Sequence, residues 1–576
     1  MPTPTNRIEA QLTASIWTNL SADVTGRIRT MRGVNGNGPA DVLAGAGELV
    51  FALRNGTNSS GGVVGYYSPL HASVRSGWTY GIPVQFVSLD PLDAAAAVTL
   101  TAAAGVATAT AVGHGRSTGD SVLIAGANQA DYNGTHYITV TGVDTFTFPV
   151  TTTAVTPATG SITFRRAYVK FYGKVREIEP VPGTIRERQV KVIAYDVIRD
   201  LVESDAREVD IQVGQMDDDL LTELLDSLPT TAQPVRRDLD TGLDTYPYAF
   251  DNVGSGAKAA ALIQDILLSG YSLGAVKGDG TFFTVNRYNR TAGSSAATFS
   301  NTMQGLIVPS SLEKVYNRVR ATIHPKTVDA AATTVLFSQP VTAASIPAGG
   351  SLTVWGSYRD PNVENRLVGG TAVVTPLVAT TDYVANSAAD GTGSNLTADV
   401  AIVTTAFAST AKFVITNNAA VPAFLTKLQI RGKGIYDDGP QTFESYTAKS
   451  YGDRPYSLDM PYQDDPDIGQ SAADYLNAVY NSLTAVLEAV EIVANSSSTF
   501  LTQALAREIG DQITITETVT GVAATKGVIQ SVEIETEIGG LFYRCRWGLA
   551  PTSPFAFWIL GTAGSSELGT TTVLGF

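Results

Sequence analysis

The sequence is poor in cysteine, in charge and in uninterrupted apolar length. Cys545 is the single cysteine in 576 residues, which excludes an intramolecular disulfide framework and any multi-cysteine zinc site. Charged residues make up 16% of the chain, against about a quarter in an ordinary globular domain. No apolar run reaches the roughly 18 residues that a membrane span needs. The opening MPTPTNRIEAQLTASIW has no basic stretch followed by an apolar one, so no secretory signal is expected and the chain reads as made in a cytoplasm. The chemistry-bearing patterns are missing as well. His71, His114, His136 and His324 are scattered and HExxH does not occur. Neither do a Walker loop or a dinucleotide fingerprint. GSGAKAA at 254–260 resembles a phosphate loop but lacks the Gly-Lys-Ser/Thr ending. The acidic clusters Asp217 to Asp219, Asp437-Asp438, and Asp464, Asp465 and Asp467 do not alternate oxygen ligands toward a closing Glu, as a calcium loop does. No repeat of about 20 to 50 residues exists, which argues against a propeller, solenoid or β-helix. No catalytic residue, cofactor or metal ligand is therefore assigned, and no enzyme is expected.

What is present suits a β-rich protein of several domains. Hydrophobic residues reach 44%, glycines number 54, and the net charge is −15. At this length a single core is not expected. The acidic balance opposes a surface that grips phosphate backbones by releasing counterions, yet permits a wall past which DNA slides without sticking.

The fold class expected is mainly β and multi-domain, with barrel-like domains, a small α+β domain, one amphipathic helix and an inserted β-sandwich module. GELVFALRNG and GIPVQFVSL read as strands of an N-terminal barrel. Composition shifts after them: residues 98–163 contain one Arg, three Asp and no Lys or Glu. VTLTAAAGVATATAV, DSVLIAGA, HYITVTGVDTFTFPV and GSITF form an Ig-like module over 96–163. The barrel then resumes, so that 1–95 and 164–202 are one split body, with VKFYGKVREI and RQVKVIAYD as a hairpin.

An α+β domain is expected over 203–311. There Leu220, Leu221, Leu224, Leu225 and Leu228 follow the acidic start of a helix, and GAKAAALIQDILLSG supplies a second helix. YSLGAVKGDGTFFTVNRY turns at Gly278-Asp279-Gly280. A β domain follows over 312–465. Ile468, Ala472, Leu476, Val479, Leu483, Val486 and Val490 then keep one helical face, opening a helix-plus-barrel domain over 466–555. Its remaining segments, from FLTQALAREIGDQITITETVTG to FYRCRW, read as strands.

Three stretches together resemble the baseplate or tail-tip hub proteins of long-tailed, siphovirus-like bacteriophages. The first is LVFALRNG with YYSP, continued by YVKFYGKVREIE and VKVIAYDVIRDL. The second is LTKLQIRGKGIYDDGPQTFESYTAKSYGDRPYSLDMPYQDD with the helix after it. The third is EIGDQITITE through VEIETEIGG to WGLAP and FWILGTAGSSELG. The resemblance implies a homotrimer closing the distal end of the tail tube in the virion's tail tip. It also implies contacts with a distal tail adaptor, a tape-measure protein and fibres or receptor-binding proteins. DNA would cross its channel unbound during genome ejection. Two other readings stay open: a receptor-binding tail protein that uses the inserted module, and a distal-tail adaptor or tailspike-type glycan hydrolase.

The segment 556–576 is apolar and punctuated by glycine to its last residue. Burying Trp558 or Phe576 is worth roughly 2 to 3 kcal/mol, so Phe557, Trp558, Leu560, Leu568, Leu574 and Phe576 are expected to dock on a neighbouring protomer or partner; folding back onto the chain's own barrel is the alternative. Deleting residues 559–576 should lower the oligomeric mass measured by light scattering, and an unchanged trimer would contradict intermolecular docking.

Overall fold

The computed structural model describes residues 2–34, 38–183, 187–206, 209, 211–250, 256–292, 294–308, 312–339, 344–358, 367–407, 409–482 and 487–551, with the backbone of 556–557 and 572–573. The architecture is mainly β and multi-domain, with several sheets.

A sheet of 16 strands organises it. Its main path runs from Gly305–Ile307 through Ala489–Val493, Tyr543–Pro551 and Val522–Glu537 to Val24–Gly33. It continues through Gly45–Arg54, Gln189–Tyr195, Gly160–Val181, Pro83–Leu89 and Thr5–Thr13 to Ile16–Asn19. The two ends of the chain thus meet where Val24–Gly33 pairs antiparallel with Val522–Glu537, in a register that sets Thr30 opposite Ile534. Alternation decides which face is inward. Leu49, Phe51 and Leu53 enter the core from one strand, and Ile534, Val532, Cys545 and Trp547 enter it from the C-terminal strands. On the outer face Arg29 pairs with Glu533 at 3.0 Å and Arg544 with Glu535 at 2.6 Å. Such exposed pairs mark register more than they add stability. The sheet also curls back on itself: Asn6 Nδ2 on the first strand donates to Thr536 Oγ1 at 2.9 Å and to the Glu537 carbonyl at 2.7 Å.

The strand Gly160–Val181 is 22 residues long and belongs to two bodies at once. Its first part pairs with Ser121–Ala127, over a separate core containing Tyr132, Phe146, Phe148 and Phe164. Its later part pairs with Pro83–Leu89 and Gln189–Tyr195. A four-stranded sheet, Thr139–Gly142, Thr145–Pro149, Val106–Thr110 and Thr99–Ala103, covers the other side of that core.

Helices Asp217–Ser227 and Ala259–Gly270 bury their leucine faces in a further core. Three strands, Arg318–Ile323, Gln441–Tyr446 and Pro455–Met460, and the helix Pro466–Tyr480 pack into the same core. Within that three-stranded sheet, residues 326–437 make an excursion built round the strand Ala423–Asp437 and filled by its own core.

Two local expectations are corrected. The helical spacing that runs to Val490 in the sequence ends as a helix at Tyr480, and Val490 lies in the strand Ala489–Val493. There it is paired with Trp547, because an open edge of the main sheet outcompetes helical periodicity. FLTQALA, expected as a strand, is the helix Ser498–Ala506, whose N-terminus is capped when Ser497 Oγ accepts from the Phe500 amide.

Trp547 is fully buried and packs at 5.6 Å from the ring of Phe299. Trp547→Ala should cost about 3 to 5 kcal/mol in urea unfolding; a loss below about 1 kcal/mol would contradict a shared core at this point.

Candidate functional site

Four separate stretches of chain meet at one buried charge cluster. Arg32 comes from Val24–Gly33, Lys170 from the long strand Gly160–Val181, and Glu508 from the turn that follows the helix Ser498–Ala506. The fourth stretch is the hairpin turn at Gly278. Glu508 receives Arg32 at 2.6 Å on one oxygen and Lys170 at 3.0 Å on the other. The Arg32 and Lys170 side chains are 2% and 1% exposed and that of Glu508 is 27%. Backbone carbonyls take further donors of both cations. Lys170 Nζ donates to the Leu505 carbonyl at 3.0 Å and to that of Arg507 at 3.4 Å, so the ammonium also meets the negative end of the helix dipole. Arg32 donates to the Lys170 carbonyl at 3.1 Å and the Val276 carbonyl at 3.3 Å. The Gly278 amide approaches Glu508 at 3.4 Å. A Cβ on Gly278 would lie 2.3 Å from the Val169 carbonyl oxygen, so only glycine lets the turn reach the cluster.

Burial alone would raise the Glu508 pKa. The Arg32 guanidinium and the Lys170 ammonium outweigh it and hold the carboxyl at about 2.

The residues weighed in the sequence for chemistry are occupied by local structure. His71 Nδ1 accepts from the Ser73 amide at 3.1 Å. His114 contacts the Gly142 carbonyl at 3.1 Å. His136 lies against Phe148 with its Nε2 3.0 Å from the Tyr132 carbonyl, and burial lowers its pKa to about 4, so it is neutral at pH 7. His324 pairs with exposed Asp459 at 2.7 Å. Asp217 is buried and accepts from Ser272 Oγ at 3.0 Å; burial pushes its pKa up to about 6. Asp218 accepts the Gly242 amide, Asp438 accepts the Thr327 hydroxyl, and Asp465 caps the helix Pro466–Tyr480. Among the described residues no three His, Cys, Asp or Glu side chains converge as a metal site, and no helix is long and apolar enough to cross a membrane. Cys545 is fully buried, and burial pushes its thiol up to about 12, which keeps it protonated and unreactive. Of the docking residues expected in the final segment, Trp558, Leu560, Leu568, Leu574 and Phe576 and the side chain of Phe557 lie outside the described residues.

Sequence reasoning missed Arg32, Lys170 and Glu508. The available signal was Lys170 itself, a charge between apolar Val169 and Phe171 where the register of the long strand shifts.

No family model matches the chain, and no curated protein matches it. Solved structures do. A 43 kDa tail protein of prophage MuSo2 from Shewanella oneidensis aligns with 95% of this chain and 98% of its own at 6% identity, TM-score 0.44. A tail protein from Neisseria meningitidis MC58 aligns with 95% and 96%, also at 6% identity and TM-score 0.44. An E. coli type VI secretion component, described as structurally similar to the T4 tail proteins gp27 and gp5, aligns with 92% and 74% at 7% identity, TM-score 0.34. At these scores the likeness assigns no residue a role.

Glu508→Gln should cost about 3 to 5 kcal/mol at pH 7, because two buried cations lose their counter-charge. The folded pKa of about 2 lies below the ordinary 4.5. The stabilisation is therefore complete above the ordinary value and is lost as pH falls through the folded one. Urea unfolding across that acid window should show a flatter pH dependence for the variant; an equal slope would contradict the clasp.

Proposed function

We propose that the chain is a structural protein of a bacteriophage tail, of the hub class: a homotrimer that closes the distal end of the tail tube, organises the tail tip and opens for genome ejection. The observation that carries this reading is the joining of both chain ends in one braced sheet, fixed by Arg32, Lys170 and Glu508. Strands contributed from opposite ends of the sequence give each protomer a frame that local unfolding at one end cannot easily open. A part that must carry load and then admit DNA needs such a frame.

In this reading residues 1–95 with 164–202, and residues 466–555 apart from the helix Pro466–Tyr480, supply two barrel-like halves of the one 16-stranded sheet. Three protomers then present six to the ring above. Residues 96–163 form an outward module, 203–311 and 312–465 pack beside the joined halves, and 556–576 dock on a neighbour. The partners are a distal tail adaptor, a tape-measure protein and fibres or receptor-binding proteins. The net charge of −15 suits a channel that DNA crosses without adhering. The location is the virion tail tip, after assembly in the host cytoplasm.

Cryo-electron microscopy of tails carrying a small tag in residues 96–163 tests the reading. Three tags around the tube end are expected. Six would indicate an adaptor ring, and tags confined to fibres would indicate receptor binding; either overturns the hub.

A further inference from the structure

In the excursion 326–437, Ser351–Ser357, Thr410–Asn417 and Val400–Ala406 form a sheet with two open edges. Among the described residues each outer strand pairs only with Thr410–Asn417. Hydrogen bonds fix which groups face outward. The Tyr358 amide donates to the Ser409 carbonyl and the Asn417 amide to the Gly350 carbonyl, both at 2.9 Å. Backbone groups of Ser351, Thr353 and Trp355 therefore point away from the middle strand. On the other edge the Phe407 amide donates to the Thr410 carbonyl and the Asn418 amide to the Asp399 carbonyl, both at 2.8 Å. That phase turns the backbone groups of Ile402 and Thr404 outward. Neither edge strand has a register shift, a proline or a charged residue, the devices that ordinarily keep an edge from pairing.

Edges elsewhere in the chain are covered or charged. In the inserted module the Ala158 amide donates to the Leu100 carbonyl at 3.0 Å, and the Ala102 amide donates to Thr156 Oγ1 at 2.9 Å. Leu273–Val276 is covered by the segment 42–44: the Gly274 amide donates to the Val42 carbonyl at 2.7 Å, and the Ala44 amide to the Gly274 carbonyl at 2.9 Å. Gln441–Tyr446 carries Glu444, and Pro455–Met460 carries Pro455 and Asp459.

The outer face of the open sheet is apolar and free of acid. Trp355 is 59% exposed and stacks on Phe407 at 5.8 Å, and Val403 is 66% exposed. Lys412 is the one charged residue in strands of 7, 8 and 7 residues. A chain of net charge −15 repels its own copies wherever acidic surfaces face each other. Here two copies can meet without that repulsion. Half-buried Leu352 and Val354 lie on one edge strand and Ile402 on the other, all packed on the same core. Joining the two unlike edges therefore continues the apolar inner face together with the backbone ladder, and a second copy supplies both edges.

We infer that the strand Val400–Ala406 of one copy pairs edge to edge with Ser351–Ser357 of a second copy. The two edges differ, so the contact is head to tail, the kind that closes into rings. It rests on the self-assembly proposed above, not on a place in a tail, and it does not involve the final segment 556–576.

Thr353 and Val403 lie in one row across the sheet, both opposite Val414 and both exposed. Thr353→Cys with Val403→Cys in the full chain places one thiol on each edge strand, and fully buried Cys545 stays silent. A short bis-maleimide should link the double variant into covalent oligomers on a denaturing gel, whereas neither single variant should link. Adding Thr404→Pro, which removes an outward amide and no ladder bond, should abolish the linking while the melting temperature holds. A second pair of variants keeps the test open if that proline disturbs the sheet. Thr353→Asp with Val403→Asp sets like charges across the contact and should lower the mass seen by light scattering; Thr353→Asp with Val403→Lys should restore it. The inference is overturned if the double-cysteine variant does not link, or if Val403→Cys links alone, since like edges would then meet. It is equally overturned if the mass depends on residues 559–576 while the charge variants leave it unchanged, because the copies would then assemble through the final segment alone.

Discussion

Glu508 is held between a guanidinium and an ammonium that have almost no access to water, and each of those cations sits on a different strand of the main sheet. Removing two cations from water carries a penalty of several kcal/mol each, repaid only where geometry and additional hydrogen bonds are good. That requirement fixes the neighbourhood. The helix Ser498–Ala506 must end with its carbonyls on Lys170, the turn at Gly278 must come within reach of the carboxylate, and Val24–Gly33 must lie beside Val522–Glu537. Residues far apart in sequence are thereby brought into one arrangement, and a shift of any of these segments would leave a charge unpaired.

The second constraint is the strand Gly160–Val181. It passes from the inserted module into the main sheet without a linker, so the module's orientation is set by β-pairing on both parts of one strand. A flexible tether would let the module swing; a shared strand transmits force and position. A cleft at Trp17, Tyr137 and Tyr172 exists because that orientation is fixed, since its walls belong to three bodies.

Much of the fold was legible in the sequence, because much of it is local. The composition shift at 98–163 marks a segment with its own core, and the leucine spacing after Asp217 marks a helix. The glycines at 278 and 280 mark the turn between Leu273–Val276 and Thr281–Val285. What was not legible is long-range. Val490 keeps helical phase in the sequence yet is a strand, because Trp547 and Leu306 lie on either side of it. FLTQALA shows no strand alternation, and the Ser497 cap in front of it was the overlooked signal. Of the charged cluster, only Lys170 stands out along the chain; Arg32 and Glu508 acquire meaning through a pairing between residues several hundred positions apart.

Native-state hydrogen exchange across a urea series tests most directly whether the two ends of the chain act as one frame. Amides of Val24–Gly33 and of Val522–Glu537 should merge onto a single unfolding isotherm with a common slope, because neither strand can leave without the other. Separate isotherms, with the C-terminal strands opening at lower free energy while the N-terminal strands stay protected, would contradict the account.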